Sequence, residues 1–279
     1  MNPVTFSTLA CPAWSPKTII AKAAEFGYEG IEWRGGPQGH VQPTMSSLEK
    51  RTLRKMSEDA GLSALAVTTY TSFVSPSTEE RQSNIDELKH YADLAVELGA
   101  PYVRAFLGEL TETVHLDAAL YGNISACLNK ASEYATSLDV RIAVEPHDDF
   151  ARSSVVFPVL AQSDPAVLVI WDIGNAFAAG EDPVEGFELL KDRIAYVQVK
   201  DGVRSGTHWQ LCTLGQGNVP LVKAFELLFM QNYKGALSVE WEYAWHPELS
   251  PPESALPAAL QVVKAMLSEI RSGQKASQK

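Results

Sequence analysis

The sequence predicts an α/β fold, a single (β/α)8 barrel of the TIM type, and three observations carry that expectation. At 279 residues the chain is near the roughly 250 typical of one such barrel. Eight short apolar runs alternate with longer amphipathic segments from one end to the other. Several of those runs are nearly unbroken in Val, Ile, Ala and Leu, the pattern of parallel strands buried on both faces.

The strand candidates span residues 4–9, 30–33, 65–69, 102–107, 141–145, 167–172, 194–199 and 237–241. Eight is the number a closed barrel requires. Helix signals fill the intervals. Ser15 before Pro16 supplies an N-cap hydroxyl and a proline whose missing N–H costs nothing at the first helical position. That helix stops near Gly27, and 28–34 leads through the second strand. Ser77 with Glu80 and Ser250 with Glu253 fit the capping-box spacing. Leu88, Ala92, Leu94, Ala95 and Leu98 form an apolar stripe at helical spacing that closes at Gly99. No domain boundary interrupts the series, so residues 1–279 are expected to form one domain, with 271–279 a polar tail prone to fray. A doubly wound open sheet is the alternative architecture. It usually needs fewer strands, and the first β–α turn here has no GxGxxG loop.

Composition narrows the function classes. The net charge of −11, from 34 acidic and 23 basic residues, argues against nucleic acid as a partner, since phosphate binding needs clustered Lys and Arg. No apolar run approaches the ~18 residues of a membrane span, and no basic, then apolar, N-terminal leader is present. The expectation is a cytoplasmic protein without a membrane partner; a homo-oligomer is compatible with the sequence. Cys11, Cys127 and Cys212 form no CxxC pair and are expected to be buried free thiols.

Active sites of such barrels sit at the C-terminal ends of the strands. The fifth run ends in Val144-Glu145-Pro146-His147, the sixth in Trp171-Asp172, the seventh in Gln198-Val199-Lys200-Asp201 and the eighth in Val239-Glu240. A lone strand-terminal carboxylate is usually a helix cap or a surface ion pair. Three on late strands, converging on one mouth, would repel strongly, and a divalent cation is the simplest way to keep them ionised.

This arrangement resembles the xylose isomerase-like sugar phosphate isomerase/epimerase barrels. The resemblance runs from GlyTyrGluGlyIleGluTrp at 27–33 to SerValGluTrp at 238–241, and includes the Gly-rich stretch LeuGlyGlnGlyAsnValPro at 214–220. Family members typically carry Glu after strand five, Asp-x-x-His after strand six, His-x-Lys-Asp after strand seven and Glu after strand eight. Here those positions read Glu145, Asp172-Ile-Gly-Asn175, Gln198-Val-Lys200-Asp201 and Glu240. The resemblance implies Glu145, Asp172, Gln198 and Glu240 as metal ligands. Gln198 replaces the usual histidine, and Asn175 replaces the usual substrate-binding histidine. With Gln198 bound through its carbonyl the donors are all oxygen, which suits Mn²⁺ or Mg²⁺ better than Zn²⁺.

Further residues are candidates for contact with substrate. His147, two residues beyond Glu145, points to the same side of an extended strand and suits an acid, base or hydroxyl contact. Lys200 stands in the same relation to Gln198 and could polarise a carbonyl or steady an enolate. Arg204 corresponds to a substrate-binding arginine in some epimerases of the family. Arg104, a charge within the apolar fourth run, needs a partner and is expected to reach into the barrel. Trp33 is a candidate apolar wall over the substrate, and Trp209, Trp241, Trp245 and His246 lie in or beside late loops that could supply a lid.

The implied activity is a metal-dependent isomerase or epimerase of carbohydrate metabolism acting on a small polyhydroxylated carbonyl substrate. Glu145 and Glu240 would face one another across it, one abstracting a proton and the other returning it through an enediolate. The rival is a metal-dependent dehydratase of a cyclic keto-polyol or keto-acid, of inosose or 3-dehydroshikimate type, with His147 as the extra acid. An endonuclease-like reading fits poorly with six scattered histidines and an acidic balance. A non-catalytic sugar-binding barrel is the last alternative.

Overall fold

The computed structural model describes residues 2–112 and 114–277. Among them the strands are β1 (Val4–Ser7), β2 (Gly30–Arg34), β3 (Ser63–Thr68), β4 (Tyr102–Ala105), β5 (Arg141–Val144), β6 (Leu168–Asp172), β7 (Ile194–Val199), β8 (Asp201–Ser205), β9 (His208–Cys212) and β10 (Leu237–Val239). β1 to β7 and β10 form a closed barrel, with β10 inserted between β7 and β1, and every pairing in it is parallel. The surrounding helices are α1 (Pro16–Phe26), α2 (Ser47–Asp59), α3 (Thr78–Leu98), α4 (Ala118–Ser137), α5 (Ser153–Gln162), α6 (Ile173–Ala178), α7 (Pro183–Leu190), α8 (Leu221–Met230) and α9 (Pro252–Ser277). The fold is a single (β/α)8 barrel. None of the described helices is long and apolar enough to cross a membrane.

Strand alternation decides which residues build the core and which build the site. Ile31, Trp33, Val103, Ile142, Val144, Val169, Trp171, Val197 and Val199 belong to the large apolar layer shared with the helices. A second, smaller cluster that includes Ala66, Ala143, Ile170 and Tyr196 fills the barrel floor. Above that floor the inward positions turn polar: Glu32, Arg104, Glu145, Asp172, Gln198 and Glu240 are all buried. The runs read as continuously apolar because polar residues take the inward positions only near the strands' C-terminal ends.

The helix termini follow local chemistry, with two departures from expectation. Ser15 accepts from the Thr18 N–H and Pro16 opens α1. Ser77 caps α3 through the Glu80 N–H, but the Glu80 side chain accepts from Ser75 Oγ, so the reciprocal half of the box is absent. A complete box forms instead at Ser46 and Glu49, ahead of α2. Ser250 does not cap α9, which starts two positions later at Pro252. Its carbonyl accepts from Trp241 Nε1 at 2.8 Å, while Glu253 accepts from Trp14 Nε1 at 3.2 Å. At the other end α9 continues past Arg271 to Ser277, anchored by buried Leu260, Val263, Leu267 and Ile270; residues 278–279 of the expected tail lie outside the described residues. Cys11 and Cys127 are buried free thiols, but Cys212, ending β9 on a hairpin with one open face, is only half-buried.

The antiparallel hairpin of β8 and β9 was not foreseen. It rises from the mouth directly after β7 and is tied down by Asp201. That carboxylate accepts from the N–H groups of Gly215 at 2.8 Å, Gly217 at 3.0 Å and Val219 at 3.3 Å. A Cβ at Gly217 would lie 2.1 Å from Asp201 Oδ1, so only glycine allows the loop to close over the carboxylate. Gly217→Ala is therefore expected to destabilise the protein by about 1–3 kcal/mol, lowering the thermal midpoint in calorimetry. An unchanged midpoint would show that the loop holds without this contact.

Candidate metal centre

Glu145, Asp172 and Glu240 each offer a carboxylate oxygen, and the three atoms lie within 4.8 Å of one another. All three residues are buried. Glu145 follows β5 and accepts from Arg104 Nη1 at 2.8 Å; Arg104 also donates to the Thr69 carbonyl at 2.8 Å. The Arg104 guanidinium lies 4.0 Å from the centre of the Phe106 ring and 5.3 Å from that of Tyr70. Asp172 ends β6 and has two roles. Its Oδ1 caps α6 through the Asn175 N–H at 2.8 Å, leaving Oδ2 buried and without an aligned hydrogen bond.

Lys200 sits in the middle of the acids. Its Nζ is 2.7 Å from Glu240 Oε2, 2.7 Å from Glu242 Oε1 and 3.0 Å from Asp172 Oδ2. The lysine stem reaches this point because Gly174 leaves room: a Cβ there would stand 2.3 Å from Lys200 Cγ. Gln198, fully buried, donates from Nε2 to Glu32 Oε1 at 3.0 Å and to Glu240 Oε1 at 3.3 Å. Its Oε1 is buried and accepts nothing. Glu32 also accepts from Tyr196 at 2.9 Å and from Ser238 at 2.6 Å.

The electrostatics reflect this crowding. Burial pushes Asp172 up to about 8; Lys200 opposes the shift, and Glu240 and Glu145 add to it. Burial also raises Glu145 against the pull of Arg104. Glu32 is lifted to about 7 by burial and by Glu240, partly offset by Ser238. For Glu240 burial works the same way, but the charge and hydrogen bond of Lys200 overcome it and hold the group below its ordinary value. Burial disfavours the Lys200 ammonium, yet Asp172, Glu240 and Glu242 keep it protonated.

Five carboxylates, Glu32, Glu145, Asp172, Glu240 and Glu242, thus share two permanent cations, Arg104 and Lys200. The excess negative charge, the convergent oxygens and the unpaired Gln198 carbonyl fit a divalent cation. Glu145, Asp172 and Glu240 are the residues whose oxygens converge closely enough to hold one.

The centre opens into a cavity of about 710 Å³ lined by Tyr70, Arg104, Phe106, Glu145, His147 and Glu240, with Glu242, Trp245 and His246 on the later loops. A second lobe of about 720 Å³ shares His147, Asp148, Glu242 and His246 and extends past Asn175 to Trp209. A larger, more open groove of about 910 Å³ runs along α3 outside the barrel and contains none of these carboxylates. His147 stacks on Phe106 with ring centres 4.8 Å apart, and its Nδ1 is 2.7 Å from Asp148 Oδ2. Burial lowers its proton affinity, but Glu145 and Asp148 outweigh that and raise it.

Three expected residues lie elsewhere. Trp33 points outward into the apolar layer, because the inward positions on β2 belong to Glu32 and Arg34, so it forms no wall over the cavity. Arg204 is carried off on the unforeseen hairpin, where its Nε donates to the Ala178 carbonyl at 3.2 Å; it lines neither lobe. Trp241 is buried and bound to Ser250 rather than free to act as a lid. Trp245 is about half exposed on the rim, with the Arg34 guanidinium 4.6 Å from its ring centre. Glu242, Glu32 and Gly174 were not assigned roles from sequence. Glu242 had a legible signal, since it stands two residues beyond Glu240 in extended chain.

A family model described as the xylose isomerase-like TIM barrel matches residues 20–266. The chain belongs to this family. Fructoselysine 3-epimerase from Escherichia coli O157:H7 is 22% identical over 262 residues, covering 88% of this chain and 92% of that protein. Inosose dehydratase from Clostridium botulinum (strain Eklund 17B / Type B) is 24% identical over 149 residues, 46% of this chain and 49% of its own. Among solved structures, the IOLI protein with a bound zinc atom aligns at a TM-score of 0.79 and 18% identity, over 96% of this chain and 99% of that one. The family's curated relatives thus include a sugar epimerase and a dehydratase.

Asp172 contributes to the pH dependence of the metal-free protein, in the same direction as Glu32 and Glu145 and against Glu240. Its native value of about 8 exceeds the unfolded value of 3.8, so the native state holds the proton more tightly. Its contribution to stability is full below about pH 4 and is lost as the pH rises toward 8. Over that range chelator-treated Asp172→Asn should therefore lose less stability with rising pH than chelator-treated wild type. Equal slopes in variant and wild type would exclude Asp172 as the group responsible.

Proposed function

We propose that this chain is a divalent-metal-dependent epimerase or isomerase of a small sugar or keto-polyol, acting by proton abstraction beside a carbonyl. One observation carries the reading: three buried carboxylates converge, two of them on the wall of an open cavity, and the nearby Gln198 has a buried, unpaired amide oxygen. The curated epimerase relative, matched over most of both chains, supports the substrate class.

A bound divalent cation would act as a Lewis acid, polarising the substrate carbonyl and acidifying the neighbouring C–H. The protein's own groups do the rest. Glu145 and Glu240 project from non-adjacent strands and flank the cavity, so one removes the proton and the other returns it to the opposite face. Arg104 fixes Glu145, and Lys200, which lines neither lobe of the cavity, fixes Glu240. His147 and Asn175 stand at the mouth, where hydroxyl groups of the substrate would be read. With no imidazole or thiolate among the four proposed donors, Glu145, Asp172, Gln198 and Glu240, Mn²⁺ or Mg²⁺ is the proposed ion, in contrast to the zinc of the IOLI protein.

His147 on the cavity wall also favours the second reading, a dehydratase in which it protonates a departing β-hydroxyl. Screening keto-sugars and keto-inositols in deuterated water, with and without chelator, tests both. An epimerase or isomerase gives metal-dependent deuterium incorporation with a changed sugar configuration; a dehydratase gives an ultraviolet-absorbing enone. No exchange on any substrate in metal-replete protein would refute both. Glu145→Gln and Glu240→Gln should each lower turnover by at least about 10²–10⁴-fold with the circular dichroism spectrum intact. Near-normal turnover in both variants would overturn their assignment.

A further inference from the structure

Glu32 lies below the carboxylate cluster, is fully buried, and takes no part in the chemistry described above. Three side chains converge on it from β7 and β10: the Tyr196 hydroxyl and the Gln198 amide nitrogen on Oε1, and the Ser238 hydroxyl on Oε2. The hydroxyls can turn to suit any neighbour, because each is both donor and acceptor. The amide of Gln198 cannot. One end only donates and the other only accepts, and the two ends have nearly the same shape.

That asymmetry matters because Gln198 Nε2 faces two carboxylate oxygens, Glu32 Oε1 at 3.0 Å and Glu240 Oε1 at 3.3 Å. Rotating the amide by half a turn would press its carbonyl oxygen against both of them and lose both hydrogen bonds. Glu240 alone would be a weak arbiter, since it is the longer of the two contacts and is already held by Lys200. Glu32 is attached to a different strand and bound from three sides, so it is the fixed reference. With the nitrogen committed to Glu32, the buried Oε1 is the end of the amide left without a partner.

We propose that Glu32 is a positioning residue for metal binding: it fixes the Gln198 amide so that the carbonyl oxygen, not the nitrogen, is presented as a ligand. This rests on the metal reading above and concerns how the one neutral ligand is oriented. Glu32 would touch neither metal nor substrate. Outer partners of this kind are typically worth about 10–100-fold in metal affinity.

The test is a calorimetric titration of chelator-stripped, full-length protein with MnCl₂ at fixed pH. Glu32→Gln places a second amide against Gln198 and removes the bias; Mn²⁺ affinity should fall by about 10–100-fold with stoichiometry and thermal midpoint little changed. Tyr196→Phe and Ser238→Ala each remove one hydrogen bond to Glu32 but leave both acceptors of the Gln198 nitrogen in place, and should shift affinity by less than the Glu32 variant does. In a Gln198→Glu background, where both ends of the side chain accept, Glu32→Gln should cost little of the Mn²⁺ affinity. A merely structural role for Glu32 would cost the same affinity in both backgrounds. Should Glu32→Gln fail to fold, Glu32→Asp keeps the charge but withdraws the acceptor, and the same loss is expected. Tight Mn²⁺ binding in wild type with unchanged affinity in the Glu32 variants would overturn the positioning role and leave the metal reading standing. Absence of Mn²⁺, Mg²⁺ or Zn²⁺ binding in wild type would overturn both.

Discussion

Compensation of buried negative charge is the constraint on which the mouth of this barrel depends. Two unit charges 4 Å apart repel by about 4 kcal/mol at an effective dielectric near 20. Glu145, Asp172 and Glu240 bring oxygens within 4.8 Å of one another in a buried setting, so the cluster would be untenable without nearby cations. The fold supplies two. Arg104 rises from β4 onto Glu145, and Lys200, just beyond β7, spans Asp172, Glu240 and Glu242. The directions of the pKa shifts show how unevenly that help is distributed. Glu240, in contact with the ammonium, is held ionised, while Asp172, which gives one oxygen to the helix cap, is driven toward the neutral acid.

Strand alternation keeps this expensive chemistry separate from the core. Each barrel strand turns its apolar residues out toward the helices and reserves its upper inward positions for polar groups. The apolar layer that stabilises the barrel is therefore largely independent of the carboxylates in its mouth. The separation also explains the glycine at 174. Lys200 must cross the start of α6 to reach three acids at once, and only a residue without Cβ leaves space for its stem.

The eight strands and their order were legible in the sequence because each is an apolar run of the right length between helical patterns. The strand-end carboxylates were legible for the same reason, since a charge directly after such a run is conspicuous. What was not legible depended on direction or on distant partners. Trp33 looked like a cavity wall because it ends a strand, but its neighbour Glu32 takes the inward position. Arg204 looked available until the hairpin of β8 and β9 carried it away, and a five-residue pair joined by Gly206 and Thr207 is a weak signal between stronger ones. Glu32 reads as one acid among thirty-four. Its significance comes from Tyr196, Gln198 and Ser238, each more than 160 residues away in the chain.

The glutamine at 198 shows how one departure from a family pattern shifts demands onto its surroundings. A histidine ligand has two distinct ring nitrogens, and the hydrogen bond made by one decides what the other can bind. A glutamine has a single oxygen to offer and a nitrogen of nearly equal size that would repel a cation from the same place. On the proposed reading, the exchange keeps a neutral ligand and makes the donor set uniformly oxygen, but only if the amide is held one way round. Two carboxylates on the nitrogen side meet that condition without adding charge beside the ligand oxygen itself. On that reading the acidic excess of the mouth would have two consequences: it would attract the cation, and it would orient the one ligand that carries no charge.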